Sequence, residues 1–194
     1  MGHQASLIFN NNLKVSNNKM PVGIHEKCTV TSLVKGDNYF DINFSNTNGE
    51  VHNKRLWNPN GNYPKMIEGN METKQEALSR EEAANLSHVV KIMHIFLGEE
   101  GVAKFPTLDY SEFLDKAITT ITPKLNTKFV NLKLIYDNDG MYSVFGNFPD
   151  YIEEWNEEGP KLKYSKWELE NRMTKKTRTT EEPGKMDLAD ALRR

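Results

Sequence analysis

Phe40, Ile42 and Phe44 alternate with Tyr39, Asp41 and Asn43, and this alternation constrains the chain more than any other feature. A period of two is the signature of a strand with one dry and one wet face. The flanking residues extend it into a meander. A strand over Lys27 to Val34 leads through a Lys35-Gly36-Asp37 turn to Tyr39–Phe44. The loop Ser45–Gly49 then leads to a third strand over Val51 to Trp57. Asn48-Gly49 suits the second turn because both residues tolerate positive φ.

Sheet periodicity returns at Lys128 to Tyr136, where Val130, Leu132, Leu134 and Tyr136 alternate with Asn131, Lys133 and Ile135. Asp137-Asn138-Asp139-Gly140 turns the chain into Met141 to Phe145. Between the two strand groups the period becomes helical. Ser79 and Glu82 have capping-box spacing, and Leu86, Val89, Val90, Met93, Phe96 and Leu97 follow on one face until Gly98 or Gly101 ends the run. A second helix begins near Asp109, carries Phe113, Leu114, Ala117, Ile118 and Ile121, and stops at Pro123. Strand, strand, strand, helices, strand, strand is the order of an OB-fold, so the expected fold is mainly β. It is a five-stranded Greek-key barrel with a helical insertion at about 75–121 between strands 3 and 4. An arm (1–19), a domain (20–165) and a flexible tail (166–194) complete the expected organisation, with Leu7–Phe9 offering an edge strand within the arm.

Composition narrows the function. The 194 residues are 37% hydrophobic with net charge −2, and the mean hydropathy is −0.68 with a pI near 6.2. A core is affordable and no global basicity advertises a polyanion partner. The charge is unevenly spread, however. Every ionised side chain from Asp137 to Glu158 is acidic, whereas Lys161 to Arg178 is mostly basic. Cys28 is alone, which excludes an intrachain disulfide and a cysteine-based zinc cluster. His88 and His94 lie six apart, on different faces of a helix, so no metal is expected. Asp137-x-Asp139-Gly140 begins like a calcium loop, but the later oxygen donors fail. No apolar run has the length of a membrane span and no secretory leader pattern opens the chain, so no membrane partner is expected. Walker loops, nucleophile elbows and dinucleotide fingerprints are missing. The reading is therefore not an enzyme, and it needs no cofactor.

What the meander does carry is cations beside aromatics, the pairing that single-stranded nucleic acid requires. Tyr39 and Asn43 lie on the wet parity of strand two, and Trp57 sits at the exit of strand three. Lys35 occupies the first turn. Lys54 and Arg55 are adjacent and so point to opposite faces. Lys133 lies on the later strand. Tail contacts to phosphate would come from Lys161, Lys163, Lys166, Arg172, Lys175, Lys176 and Arg178.

Five segments also carry a family resemblance. They are Pro21-Val22-Gly23-Ile24-His25-Glu26, Tyr39–Phe44, Lys54-Arg55-Leu56-Trp57-Asn58-Pro59, Asn131–Tyr136 and Phe148-Pro149-Asp150-Tyr151-Ile152-Glu153. Together, across residues 20–165, they resemble the OB-fold single-stranded DNA-binding proteins of tailed bacteriophages. The resemblance implies non-sequence-specific binding and protection of single-stranded DNA in phage replication or recombination. It also implies phage replication proteins as further partners and the cytoplasm of the infected host as location. One departure stands out: such proteins often end in an acidic tail, whereas Asp187–Arg194 is of mixed charge. Two alternatives come from other classes. One is a phage structural or packaged protein that uses barrel and helix pair for protein contacts; the other is a nuclease with scattered carboxylates.

Overall fold

The computed structural model describes residues 18–146 and 148–175. Its main sheet is antiparallel and runs β3-β2-β1-β6-β7, with a sixth strand, β8, also paired to β6. The strands are β1 (Gly23–Lys35), β2 (Tyr39–Ser45), β3 (Val51–Trp57), β6 (Val130–Tyr136), β7 (Ser143–Phe145) and β8 (Ile152–Glu154). A separate small hairpin pairs β4 (Met66–Ile67) with β5 (Asn70–Met71). The helices are α1 (Lys74–Ala103), α2 (Tyr110–Ile121) and α3 (Lys166–Asn171).

The main sheet has six strands where five were expected. Ile152–Glu154 is too short to show a period of two, so nothing in its pattern announces a strand. Its place is set by pairing with Val130–Leu132.

The long strand β1 bends the sheet. Its residues from Thr29 to Lys35 pair with β2, while Gly23 to Cys28 pair with β6. Register shifts fall at Val30/Ser32 and at His25/Cys28. A bulge bends its strand and increases the local twist, so each shift turns the sheet further toward closure. Lys27 sits in the second shift with φ 53°. Its backbone N–H donates to Asn131 Oδ1 at 3.3 Å, and its ammonium lies over the rings of Phe129 and Trp155.

Closure is nearly complete. Among the described residues no backbone ladder joins β3 to β7, but side chains span the seam. Phe145 stacks on His52, with ring centroids 4.8 Å apart, and packs against Phe44 at 5.3 Å. Residues 18–20 lie along the start of β3. The Met20 N–H donates to Val51 O, the Val51 N–H donates to Asn18 O, and the Ser143 hydroxyl donates to Met20 O at 2.7 Å. Lys19 and Met20, either side of the expected arm boundary, thus both take part in the barrel.

Inside are Val30, Leu33, Phe40, Ile42, Phe44, Leu56, Leu132 and Leu134, covered by Val89, Ile92, Met93 and Phe96 of α1 and by Leu114, Ala117 and Ile121 of α2. Helix α1 starts before Ser79. Thr73 is its N-cap, in a reciprocal box with Glu76. Ser79 falls inside the helix because Arg80 and Glu81 are held there by the preceding loop: Arg80 pairs with Glu72, and Glu81 accepts from the backbone of Asn60 and Gly61. The run also passes Gly98, which takes φ 70° and kinks the helix instead of ending it. Asp109, near which the second helix is expected to begin, is the N-cap of α2 and accepts from the Glu112 N–H.

The expected start of a flexible tail at 166 falls within packed structure. Helix α3 is capped by a Ser165–Glu168 box, and it covers the face of β6 that carries Lys133. Lys133 Nζ lies 3.0 Å from Glu168 Oε2, with side chains only 3% and 0% exposed. Gly146 makes room for the pair, since a Cβ there would come within 2.5 Å of the Lys133 stem. Beyond the helix, Arg172 exchanges hydrogen bonds with Tyr136 through its backbone carbonyl and its guanidinium.

A buried ion pair broken on one side leaves an uncompensated charge. Glu168→Ala should therefore lower the unfolding free energy by about 3–5 kcal/mol in urea titrations, whereas Lys133→Met combined with Glu168→Leu should recover most of it. Truncation after Glu158 should be as damaging as Glu168→Ala. A truncated chain with wild-type stability would show that α3 is dispensable.

Candidate nucleic-acid interface

The antiparallel register sets the outer face of β2 and β3. It places Tyr39 opposite Trp57, Asp41 opposite Arg55 and Asn43 opposite Asn53. Each is a cross-strand pair in contact. Arg55 donates to both Asp41 oxygens at 2.8 and 2.7 Å, a bidentate fork. Asn53 donates to Asn43 Oδ1, and Asn43 donates to the Ser32 hydroxyl of β1. The Arg55 guanidinium lies 3.9 Å from the Tyr39 ring centroid and 5.3 Å from that of Trp57. The two rings meet edge to face at 6.3 Å. Asp41, chiefly by its hydrogen bond, holds the Arg55 pKa above its ordinary value.

This arrangement ranks the aromatics. One face of Tyr39 is covered by Arg55, and Gly36 sits so close that a Cβ there would come within 2.6 Å of the ring. Trp57 is 64% exposed. The open stacking surface is thus Trp57, with the Arg55 plane beside it and Tyr39 as the support beneath.

The other expected contacts divide sharply. Lys35 is turned to α2, where its ammonium meets Asp115 at 2.7 Å and the Ser111 hydroxyl at 2.8 Å. Lys133 is buried with Glu168 and also donates to Lys163 O, so it does not line a groove; α3 covers the face that alternation alone leaves wet. Lys161, Lys163, Lys166 and Lys175 are exposed, and Lys166 stands 3.8 Å from Glu170. Arg172 is engaged with Tyr136 O and the Trp167 ring. Lys176 and Arg178 lie outside the described residues, as does the expected edge strand Leu7–Phe9.

Lys54 has the opposite parity to Arg55. Facing Ile42 in register, it turns toward the seam, with its ammonium over the rings of Phe145 and Tyr151. Desolvation lowers its pKa. Two clefts border β3. One, of about 810 Å³, includes Lys19, His52, Lys54, Tyr142 and Phe145; the other, of about 1020 Å³, includes Lys54, Trp57, Tyr63, Arg80, Asn85 and His88. Sequence reading missed His52, His88 and Tyr151. A signal existed at the first: His52 and Lys54 share the parity of buried Leu56, which places polar groups on a dry face. The Asp137 turn is an ordinary one, with its carboxylate accepting the backbone N–H groups of Met141 and Tyr142.

No family model, curated protein or solved structure matches the chain.

Burial pushes the imidazoles of His52 and His88 down to about 4, helped at His52 by Lys19, His25 and Lys54 and at His88 by Lys54. Each is then protonated more readily in the unfolded chain, where the ordinary value is about 6.5. Their contribution to stability is whole above that value and is lost as pH falls toward about 4. Denaturant midpoints should decline across that window, and more shallowly in His52→Gln. An unchanged slope in the variant would show that His52 is not held neutral by the fold.

Proposed function

We propose that the protein binds single-stranded nucleic acid, with single-stranded DNA as the expected ligand, across the outer face of β2 and β3. The barrel-like sheet is read as an OB-fold, the architecture that the strand order and the phage-protein resemblance imply. The observation that carries the reading is the exposed Trp57 ring beside the Arg55 guanidinium, on a face edged by clefts that hold Lys19 and Lys54. A base can stack on the indole, and stacking tolerates any sequence because every base has a π-face. Arg55 stays pinned by Asp41, so it acts as an oriented plane as much as a phosphate contact. Exposed Lys161, Lys163, Lys166 and Lys175 would add sequence-independent attraction. No catalytic step and no cofactor enters this function. In the biological setting that the resemblance implies, the protein coats and protects exposed strands during phage replication or recombination in the host cytoplasm.

One observation favours a second reading, a protein-contact role. The β4–β5 hairpin exposes Met66, Ile67 and Met71, with Tyr63 exposed just before it. Apolar side chains grouped on a projecting hairpin fit a protein surface better than a phosphate backbone.

Binding of a mixed-sequence oligonucleotide should quench tryptophan fluorescence, exceed binding of the matching duplex, and weaken as salt rises. Trp57→Ala should cost about 1–3 kcal/mol of that affinity with little change in stability, and more than Tyr39→Ala costs. Phe40→Ala should do the reverse, lowering stability by about 3–5 kcal/mol as a buried aromatic truncation. Equal or tighter duplex binding in the same titration would defeat the proposal and leave the protein-contact reading.

A further inference from the structure

The two clefts share Lys54 and Arg55. Arg55 is committed to Asp41, but Lys54 has no such partner. Among the described residues its ammonium meets only ring faces, Phe145 at 5.5 Å and Tyr151 at 5.6 Å. A cation drawn out of water requires compensation, and ring faces supply only part of it. In the first cleft the charged and ring-nitrogen groups beside Lys54 are Lys19, His52 and Arg55, with no carboxylate among its lining residues. His52 Nε2 is buried with no hydrogen-bond partner, Lys19 lines the same cleft, and His88 approaches from α1 with its Nδ1 3.0 Å from the Tyr151 hydroxyl. Asp41 is held by Arg55, and Glu81, which lines the second cleft, gives Oε2 to the backbone of Asn60 and Gly61 and keeps Oε1 buried without a partner; neither carboxylate forms an ion pair with Lys54.

We propose that Lys54, His52 and Lys19 form an oxyanion site in the seam between β3 and β7, which takes the phosphate group of a nucleotide or of a nucleic-acid backbone. The ammonium groups supply charge and the His52 Nε2 supplies a directed hydrogen bond. The Phe145 and Tyr151 rings cover part of the Lys54 ammonium, and that partial desolvation strengthens its contact with an anion. The site deepens the single-strand reading if the phosphate belongs to a backbone, and stands without it if the phosphate belongs to a free ester.

Protonation is coupled to occupancy. His52 faces Lys19, His25 and Lys54 and stacks on Phe145; His88 faces Lys54, the Tyr151 hydroxyl and the Phe148 ring. Burial, with the Lys19 and Lys54 ammonium groups beside His52 and the Lys54 ammonium beside His88, favours the neutral imidazoles. An oxyanion beside His52 reverses the local field and favours imidazolium, so binding takes up a proton and tightens as pH falls.

Sulfate is the probe, because its charge is constant over the pH range that matters. Titrated into the full chain and followed by imidazole NMR signals, it should raise the His52 titration midpoint, and it should bind more tightly at about pH 5.5 than at about pH 7.5. Lys54→Met should weaken sulfate about tenfold, the scale of one charge-assisted hydrogen bond, without lowering the melting temperature, since it keeps the stem and removes a desolvated charge. His52→Gln should keep part of the binding and lose its pH dependence. Oligothymidylate that displaces sulfate, and loses affinity in Lys54→Met, places a backbone phosphate in the seam. Lys54-dependent sulfate binding with no oligothymidylate binding keeps the site, assigns it to a free phosphate ester, and defeats the single-strand reading. Sulfate that leaves His52 unmoved, with oligothymidylate bound equally by wild type and Lys54→Met, overturns the site and leaves stacking at Trp57 intact.

Discussion

The divided ladder of β1 is the constraint on which the rest depends. One half of the strand is committed to β2 and the other to β6, so the two halves of the sheet cannot lie flat. The register shifts absorb the bend, and Lys27 holds its positive φ through Asn131 and the rings of Phe129 and Trp155. Curling brings β3 toward β7. The pair stops short of a ladder, and Phe145 on His52 spans the remaining gap with rings. A seam closed by side chains leaves clefts that a hydrogen-bonded seam would have filled.

Cation accounting separates structural from available charge. Lys35 ties β1 to α2, Arg80 ties α1 to the β5 end, and Lys133 ties β6 to α3. These three cations serve as ties between elements. The pairs differ in weight. Lys35–Asp115 is partly open to solvent and is worth little, whereas Lys133–Glu168 is dry and intolerant of losing one partner. Lys54 belongs to neither group, since it is partly desolvated without a carboxylate.

Aromatic residues are divided in the same way by the register of β2 and β3. Phe40 and Phe44 build the core, Tyr39 supports Arg55, and Trp57 alone of the β2–β3 aromatics is largely open. The outer-face pairs are tied to one another across the strands, which fixes the Arg55 plane beside Trp57. In the proposed single-strand role, a surface held in place this way would lose less freedom on binding.

The sequence by itself determined the strand meander, because Phe40, Ile42 and Phe44 can be buried together only at a period of two. It likewise determined the opposite facing of Lys54 and Arg55, the helical character between the strand groups, and the start of a helix near Asp109. Those features rest on local geometry, which neighbouring residues carry among themselves. Tertiary structure decided what locality leaves open. Two capping boxes are written near the start of α1, and contacts of Arg80 and Glu81 with the preceding loop select the one at Thr73. Alternation makes Lys133 a wet-face residue until α3, thirty-odd positions later, covers it with Glu168. The cleft at Lys54 needs His52, Phe145, His88 and Tyr151 from four elements or turns of the chain. No spacing within one segment can show that meeting, because closure of the sheet creates it.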